Sequence, residues 1–208
     1  MGIDLVPRLT GVAAVAAGAA LCAASYVEST LPVGCVGDQC DLRPERPDSA
    51  TADVFYVVSL ALLVLAAVGL AVLVLQRRRL GRLGTLAAGL IAVGAVVAVV
   101  ANVVQSAFYG GDLPAMPAIF LPAIAALVVG FALLMLVVIR TRVVPVWAGV
   151  VVGLTLLLIP FGNQENTTVL LDIPFGLALV LAGVLVLRPP GAATGTRNHG
   201  PHAPVEGA

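Results

Sequence analysis

Six blocks of mostly apolar residues divide this sequence, and they constrain its fold more than any other feature. The blocks cover residues 9–27, 54–75, 85–108, 118–139, 143–161 and 168–187. A helix rises about 1.5 Å per residue, so about 20 residues cross the roughly 30 Å hydrocarbon core of a bilayer. Strands of a membrane barrel would be about 10 residues long with alternating polarity, and these blocks do not alternate. The sequence therefore predicts an all-α, polytopic transmembrane bundle with six spans.

The composition excludes an ordinary soluble domain. Such a domain carries about 25% charged residues, whereas this chain has 11% charged and 60% hydrophobic residues. That is too little polar material to cover a globule in water. The formal net charge is zero, which gives no indication of nucleic-acid binding. We therefore expect membrane lipids around the chain and no nucleic-acid partner.

The arginines predict how the bundle is oriented. With a cytoplasmic N-terminus, nine of the eleven cationic residues lie on the cytoplasmic side, and only Arg43 and Arg46 lie outside. This asymmetry follows the positive-inside rule and predicts a plasma-membrane protein with both termini cytoplasmic. One cytoplasmic group is expected to fix the topology and to contact anionic lipid headgroups. Its members are Arg77, Arg78, Arg79, Arg82, Arg140 and Arg142.

Three segments outside the central spans have their own interpretation. Residues 28–53 are expected to form an extracytoplasmic loop, and residues 188–208 a disordered cytoplasmic tail rich in Gly, Pro and Ala. The first block also resembles a signal peptide, whose cleavage would leave five spans. We expect it to be retained, because it is longer than the apolar region of most signal peptides and is preceded only by Arg8 as a basic residue.

Two cysteines in the outer loop, Cys35 and Cys40, predict a structural disulfide, because that compartment is oxidising and four intervening residues let the chain turn back. The alternative is a thiol-exchange pair of a membrane oxidoreductase. Such enzymes usually have a two-residue spacing and a second cysteine pair, and only Cys22 remains here. The same loop alternates carboxylates with Arg43 and Arg46, which predicts a solvated loop with weak ion pairs rather than a cation site.

Polar residues recur at helical spacing in the outer halves of several spans. One interpretation is an outward-facing polar pocket for a small or lipid-like ligand. The other, which we favour, is interhelical hydrogen bonding, worth about 0.6 kcal/mol per contact. The candidate pocket residues are Asp53, Tyr56, Ser59, Asn102, Gln105, Ser106 and Asp172.

The sequence contains no recognisable catalytic constellation. It has no phosphate-binding loop, hydrolase elbow or zinc motif, and Asp172 is the charged residue that falls within a predicted span. His199 and His202 lie in the tail without a further ligand, so we expect no metal and no cofactor. The leading hypothesis is a non-enzymatic structural or interaction component of the envelope, with a membrane-protein partner or a second copy. The alternatives are a small transporter or lipid-binding protein and, third, an extracytoplasmic thiol oxidoreductase.

Overall fold

A computed structural model of the chain describes residues 5–35, 46–47, 49–77, 81–108 and 115–188, with backbone alone at Arg77, Asn102, Ser106, Ala107 and Pro117. These parts of the chain are helical and contain no strand. The α-helices are α1 (Leu5–Ser29), α2 (Ala50–Arg77), α3 (Gly81–Phe108), α4 (Met116–Thr141), α5 (Val146–Leu156) and α6 (Asp172–Leu187). Two short 3₁₀ helices, Ile159–Phe161 and Thr167–Leu171, connect α5 to α6.

Five helical stretches are long and apolar enough to cross a membrane, which confirms the all-helical class and agrees with a multi-pass membrane protein. They are Leu5–Ser29, Ala50–Gln76, Gly81–Gln105, Ala118–Thr141 and Thr167–Leu187. The fifth predicted block, residues 143–161, is not among them. It forms a shorter apolar unit, Val146–Phe161.

The fifth block differs from the prediction of one long helix because of two prolines. Pro145 lies at the N-cap of α5, and Pro160 lies four residues after its last residue, Leu156. Because proline has no N–H, an α-helix continuing through Pro160 would leave the Leu156 carbonyl without its bond. The backbone tightens instead: Leu158 N–H donates to the Thr155 carbonyl at 3.0 Å, and Phe161 N–H to the Leu158 carbonyl at 3.0 Å. Such bonds from i to i−3 are characteristic of 3₁₀ structure.

Helix α1 occupies the centre of one half of the bundle. It packs extensively against α2 and α6, whereas α3 packs mainly against α4, and α5 lies between α4 and α6. One hydrophobic core joins the two halves, with Val74, Leu134, Val138 and Phe175 among its fully buried side chains.

Glycines make the contact between α1 and α6 unusually close. A Cβ on Gly11 would lie 2.6 Å from Leu187 Cγ and 2.9 Å from the Gly183 carbonyl oxygen. A Cβ on Gly18 would overlap the Gly176 carbonyl oxygen. On each helix the two glycines are about two turns apart, so they meet in pairs along an antiparallel interface. The start of α1 and the end of α6 therefore lie at the same end of the bundle.

Charged side chains divide the bundle into two ends. We call one the arginine end, which holds the described side chains of Arg8, Arg82, Arg140, Arg142 and Arg188, all exposed. The other, the carboxylate end, holds Glu28, Asp53, Glu165 and Asp172, together with Arg46. Along the chain these groups are far apart, and the antiparallel helices bring them together.

Candidate functional site

The carboxylate end is organised around the buried side chain of Arg46. Arg46 lies in the outer loop shortly before α2, and it is only 7% exposed. Its Nε donates to the Pro32 carbonyl oxygen at 2.8 Å, and its Nη1 donates to the Gln164 carbonyl oxygen. Nη1 also lies 3.5 Å from Glu28 Oε2 in an ion pair that is almost fully buried. The prediction of a solvated loop arginine is therefore wrong for Arg46.

The loop between α5 and α6 contributes a second set of bonds to the same network. Glu165 Oε2 accepts a hydrogen bond from the Arg46 backbone N–H at 3.0 Å, and the Glu165 carbonyl oxygen accepts one from the Gly34 N–H at 2.8 Å. A Cβ on Gly34 would overlap Glu165 Oε2, so this approach requires glycine. These bonds join three segments at the carboxylate end: the residues after α1, Arg46 before α2, and the loop before α6. We call this set of contacts the closure.

The physical effect of this closure is structural. A buried guanidinium is stabilised only when its N–H groups are paired and its charge is compensated. Here carbonyl oxygens and the Glu28 carboxylate supply the acceptors. Removing one partner of a buried ion pair typically costs about 3–5 kcal/mol, so this network contributes substantially to holding the three segments together.

Beneath the closure, polar side chains of α1, α2 and α6 come together. Ser59 on α2 donates to the Ala17 carbonyl oxygen on α1 at 3.0 Å, and it is buried. Ser25, fully buried on α1, donates to the Leu21 carbonyl oxygen of its own helix at 3.0 Å. The Tyr56 hydroxyl lies close to Ser25 and Asp172. This arrangement fits interhelical hydrogen bonding near the membrane surface.

Two buried polar atoms in this cluster have no hydrogen-bond partner within the described part of the chain. They are the Tyr56 hydroxyl and Asp172 Oδ1. Asp172 Oδ1 lies against Gly162, where an added Cβ would approach it to 2.9 Å. A buried polar group without a partner costs about 1–3 kcal/mol. A water or a small polar ligand that bonded to these two atoms would therefore remove this free-energy cost.

The five candidate pocket residues whose side chains are described do not share one space. Tyr56 and Asp172 are brought together and Ser59 lies deeper on α2, whereas Asp53 is exposed. Gln105 is half-buried on α3, which packs mainly against α4 rather than α1 or α6. The side chains of Asn102 and Ser106 lie outside the described structure.

A central cavity lies away from this polar cluster, in the middle of the bundle. Its volume is about 40 Å³, and its lining includes Leu63, Phe131, Met135, Val152 and Leu179. The five candidate pocket residues whose side chains are described do not line it. A water would fit by volume, but it needs two to four polar partners, and this lining is apolar. The cavity is thus a dry packing gap among α1, α2, α4, α5 and α6.

The cysteines are placed as follows. Cys22 is a free, half-buried thiol whose Sγ lies 3.7 Å from the Ile173 carbonyl oxygen. Cys35 is buried beside Gly34, and Cys40 lies outside the described residues. Their pairing and any thiol exchange stay predictions. Across the described residues, no three His, Cys, Asp or Glu side chains come together as metal ligands would.

Of the arginine group, the side chains of Arg77, Arg78 and Arg79 lie outside the described structure, while Arg82, Arg140 and Arg142 are exposed at the arginine end.

Sequence reasoning did not find the roles of Glu28, Arg46 and Glu165. The available signal was that Arg43 and Arg46 are the two arginines predicted on the side that the other nine avoid. Comparison of the chain with models of known protein families, with curated proteins and with solved structures gave no match.

Proposed function

We propose that this chain is a non-enzymatic integral membrane protein that acts as a structural or interaction component of the cell envelope. The observation that carries the proposal is the network around Arg46. Its polar groups bind helix ends and loops to one another, and Ser59 likewise joins two helices. The polar chemistry of the carboxylate end is thus used to hold a shape.

The proposal includes six membrane crossings. Gly11 lies against Gly183 and Leu187, so both ends of the helical bundle return to the same side, which requires an even number of crossings. Val144, before α5, lines the central cavity together with Thr10, which lies near the arginine end. Gln164, after α5, bonds to Arg46 at the carboxylate end. The unit Val146–Phe161 reaches about 26 Å if its end is 3₁₀, enough for a short crossing.

The orientation that we propose places the arginine end in the cytoplasm and the carboxylate end outside the plasma membrane. The charge distribution supports it, because arginines are retained on the cytoplasmic side. The exposed Arg82 and Arg140 then face anionic lipid headgroups, and each contact contributes about 1 kcal/mol of binding free energy.

In the outer loop we propose a Cys35–Cys40 disulfide, because Cys22 is free and the chain has three cysteines. Labelling of either cysteine without reductant would contradict it.

Purification in a mild detergent after cross-linking in native membranes tests the function. We expect a stoichiometric membrane-protein partner or a second copy of this chain to remain bound. A matched preparation of the Arg46→Gln variant serves as the control, since it breaks the buried network at the carboxylate end without removing a helix. Recovery of monomer alone from both preparations would contradict an interaction role.

The second candidate is a small transporter or lipid-binding protein, and the unpartnered Tyr56 hydroxyl and Asp172 Oδ1 favour it. A ligand-dependent rise in thermal stability that Tyr56→Phe abolishes would support this candidate over the first. Equal stability of both proteins across a panel of small polar molecules and lipids would count against it.

A further inference from the structure

The strongest unassigned feature is the way in which one side chain connects three segments. Arg46 reaches Glu28 on α1, Pro32 in the segment after α1, and Gln164 in the loop before α6. The last contact joins residues 118 positions apart in the chain. Glu165 strengthens it through the Arg46 backbone N–H.

We propose that Arg46 is a latch, whose release opens the carboxylate end between α1 and α6 and admits water to the polar cluster beneath it. This goes beyond the proposed structural role, because it predicts two states of one end of the bundle. In the closed state the Arg46 side chain fills the space between the two loops. In the open state the loop before α6 moves away from the end of α1.

The interface between α1 and α6 makes the opening local. Toward the arginine end the helices meet at glycines, where a Cβ on Gly183 would lie 2.6 Å from the Gly11 carbonyl oxygen. Toward the carboxylate end, beyond Gly18, the contact is made by a side chain: Cys22 packs on Gly176, and its Sγ lies 3.7 Å from the Ile173 carbonyl oxygen. The glycine pairs therefore provide a fixed part, and the end beyond them depends more on Arg46.

Charge favours the opening once Arg46 is released. Among the described residues of this end, Arg46 is the cation and Glu28, Asp53, Glu165 and Asp172 are the carboxylates. Glu28 is close enough to Asp53 and Glu165 for mutual repulsion. Without Arg46, burial of the Glu28 carboxylate is no longer compensated, and separation of the loops would hydrate it.

The native thiol of Cys22 provides the reporter, because it lies between α1 and α6 beneath the closure and is free. The experiment measures its reaction rate with a polar maleimide in full-length protein purified in mild detergent. Cys22→Ser in each background identifies the labelling that belongs to Cys22. We expect Arg46→Gln to raise the rate at least about tenfold, since the loss of a buried ionic partner exceeds one tenfold step.

Two controls separate a latch from a general loss of stability. Arg82→Gln removes the same charge from an exposed position at the arginine end and should leave the rate within about twofold. Thr10→Cys, in the Cys22→Ser background, reports a buried position near the arginine end and should stay protected when Arg46→Gln is added. An unchanged Cys22 rate in Arg46→Gln would overturn the latch, and so would an equal rise at Cys22 and at Thr10→Cys.

Discussion

At the scale of single residues, small side chains determine how closely the helices approach. Gly18 and Gly176 leave no room for a Cβ on either helix, and Gly176 also contacts Cys22 Sγ, which would lie 2.6 Å from an added Cβ. Membrane helices gain little from the hydrophobic effect on association, so close van der Waals packing is a main source of their stability. The interface between α1 and α6 follows this rule.

Gly18→Ala should therefore destabilise the protein by about 1–3 kcal/mol, the usual cost of overpacking a close contact. Gly153→Ala is the matched control, because nothing lies within 4 Å of a Cβ at that position. The free energy of unfolding, measured by titration with a denaturing detergent, checks both variants. Equal stability of the two would contradict the close approach of α1 and α6.

A substitution at Tyr56 is expected to increase the stability of the protein rather than decrease it. Tyr56→Phe removes a buried hydroxyl that has no partner among the described residues, so it should raise the free energy of unfolding by about 1 kcal/mol. Ser59→Ala is the control, because it removes a hydroxyl that bonds to Ala17 and should lower the stability by about 0.6 kcal/mol. A loss of stability in Tyr56→Phe would mean that water, a ligand or another part of the chain holds the hydroxyl.

The sequence predicted which residues share a face of a helix, but it did not predict contacts between residues far apart in the chain. The spacing of Tyr56 and Ser59 places them on one side of a helix, which can be read from the sequence alone. The burial of Arg46 cannot be read in this way, because it depends on a carbonyl oxygen of Gln164, far along the chain. Local loop composition contains no information on such a contact.

At the scale of helices, α1 is required as a packing surface for two neighbours. Its Ala13 and Ala14 pack with Ala66 of α2 in a separate buried cluster, while its glycines meet α6. Without α1, the polar Ser59 and the glycines of α6 would face lipid. This packing argues that α1 belongs to the mature bundle.

An epitope placed before Met1 should therefore remain on the mature, membrane-inserted protein. Intact mass spectrometry of the purified chain measures this directly, with a C-terminal epitope on the same molecule as the control. A mature chain that lacks the N-terminal epitope and the residues of α1 would show that α1 is a cleaved signal.

The helix bounds could be predicted where an apolar block has no internal break. The fifth block was predicted as one span because its residues are uniformly apolar. Pro160 changes its geometry, since a missing N–H ends the α-helical bonding four residues earlier. Hydropathy averages over the block and does not detect a change from α to 3₁₀ structure.

At the scale of the whole molecule, the separation of the charges matches the antiparallel arrangement of the helices. The described arginines other than Arg46 lie at one end, and the described carboxylates lie at the other. The sequence alone predicts this separation once the helices alternate in direction. The sequence did not predict which loops meet, because the closure between Gly34 and Glu165 depends on the packing of α1 beside α6.

The most direct test of this account is the sidedness of the two segments that flank α5. Thr141→Cys lies at the end of α4, and Gln164→Cys lies in the loop after α5. We predict that a membrane-impermeant thiol reagent labels Gln164→Cys on intact cells and labels Thr141→Cys only after permeabilisation, each measured against the parent chain. Labelling of both positions from the same side would show that α5 does not cross, and would contradict the six-crossing bundle.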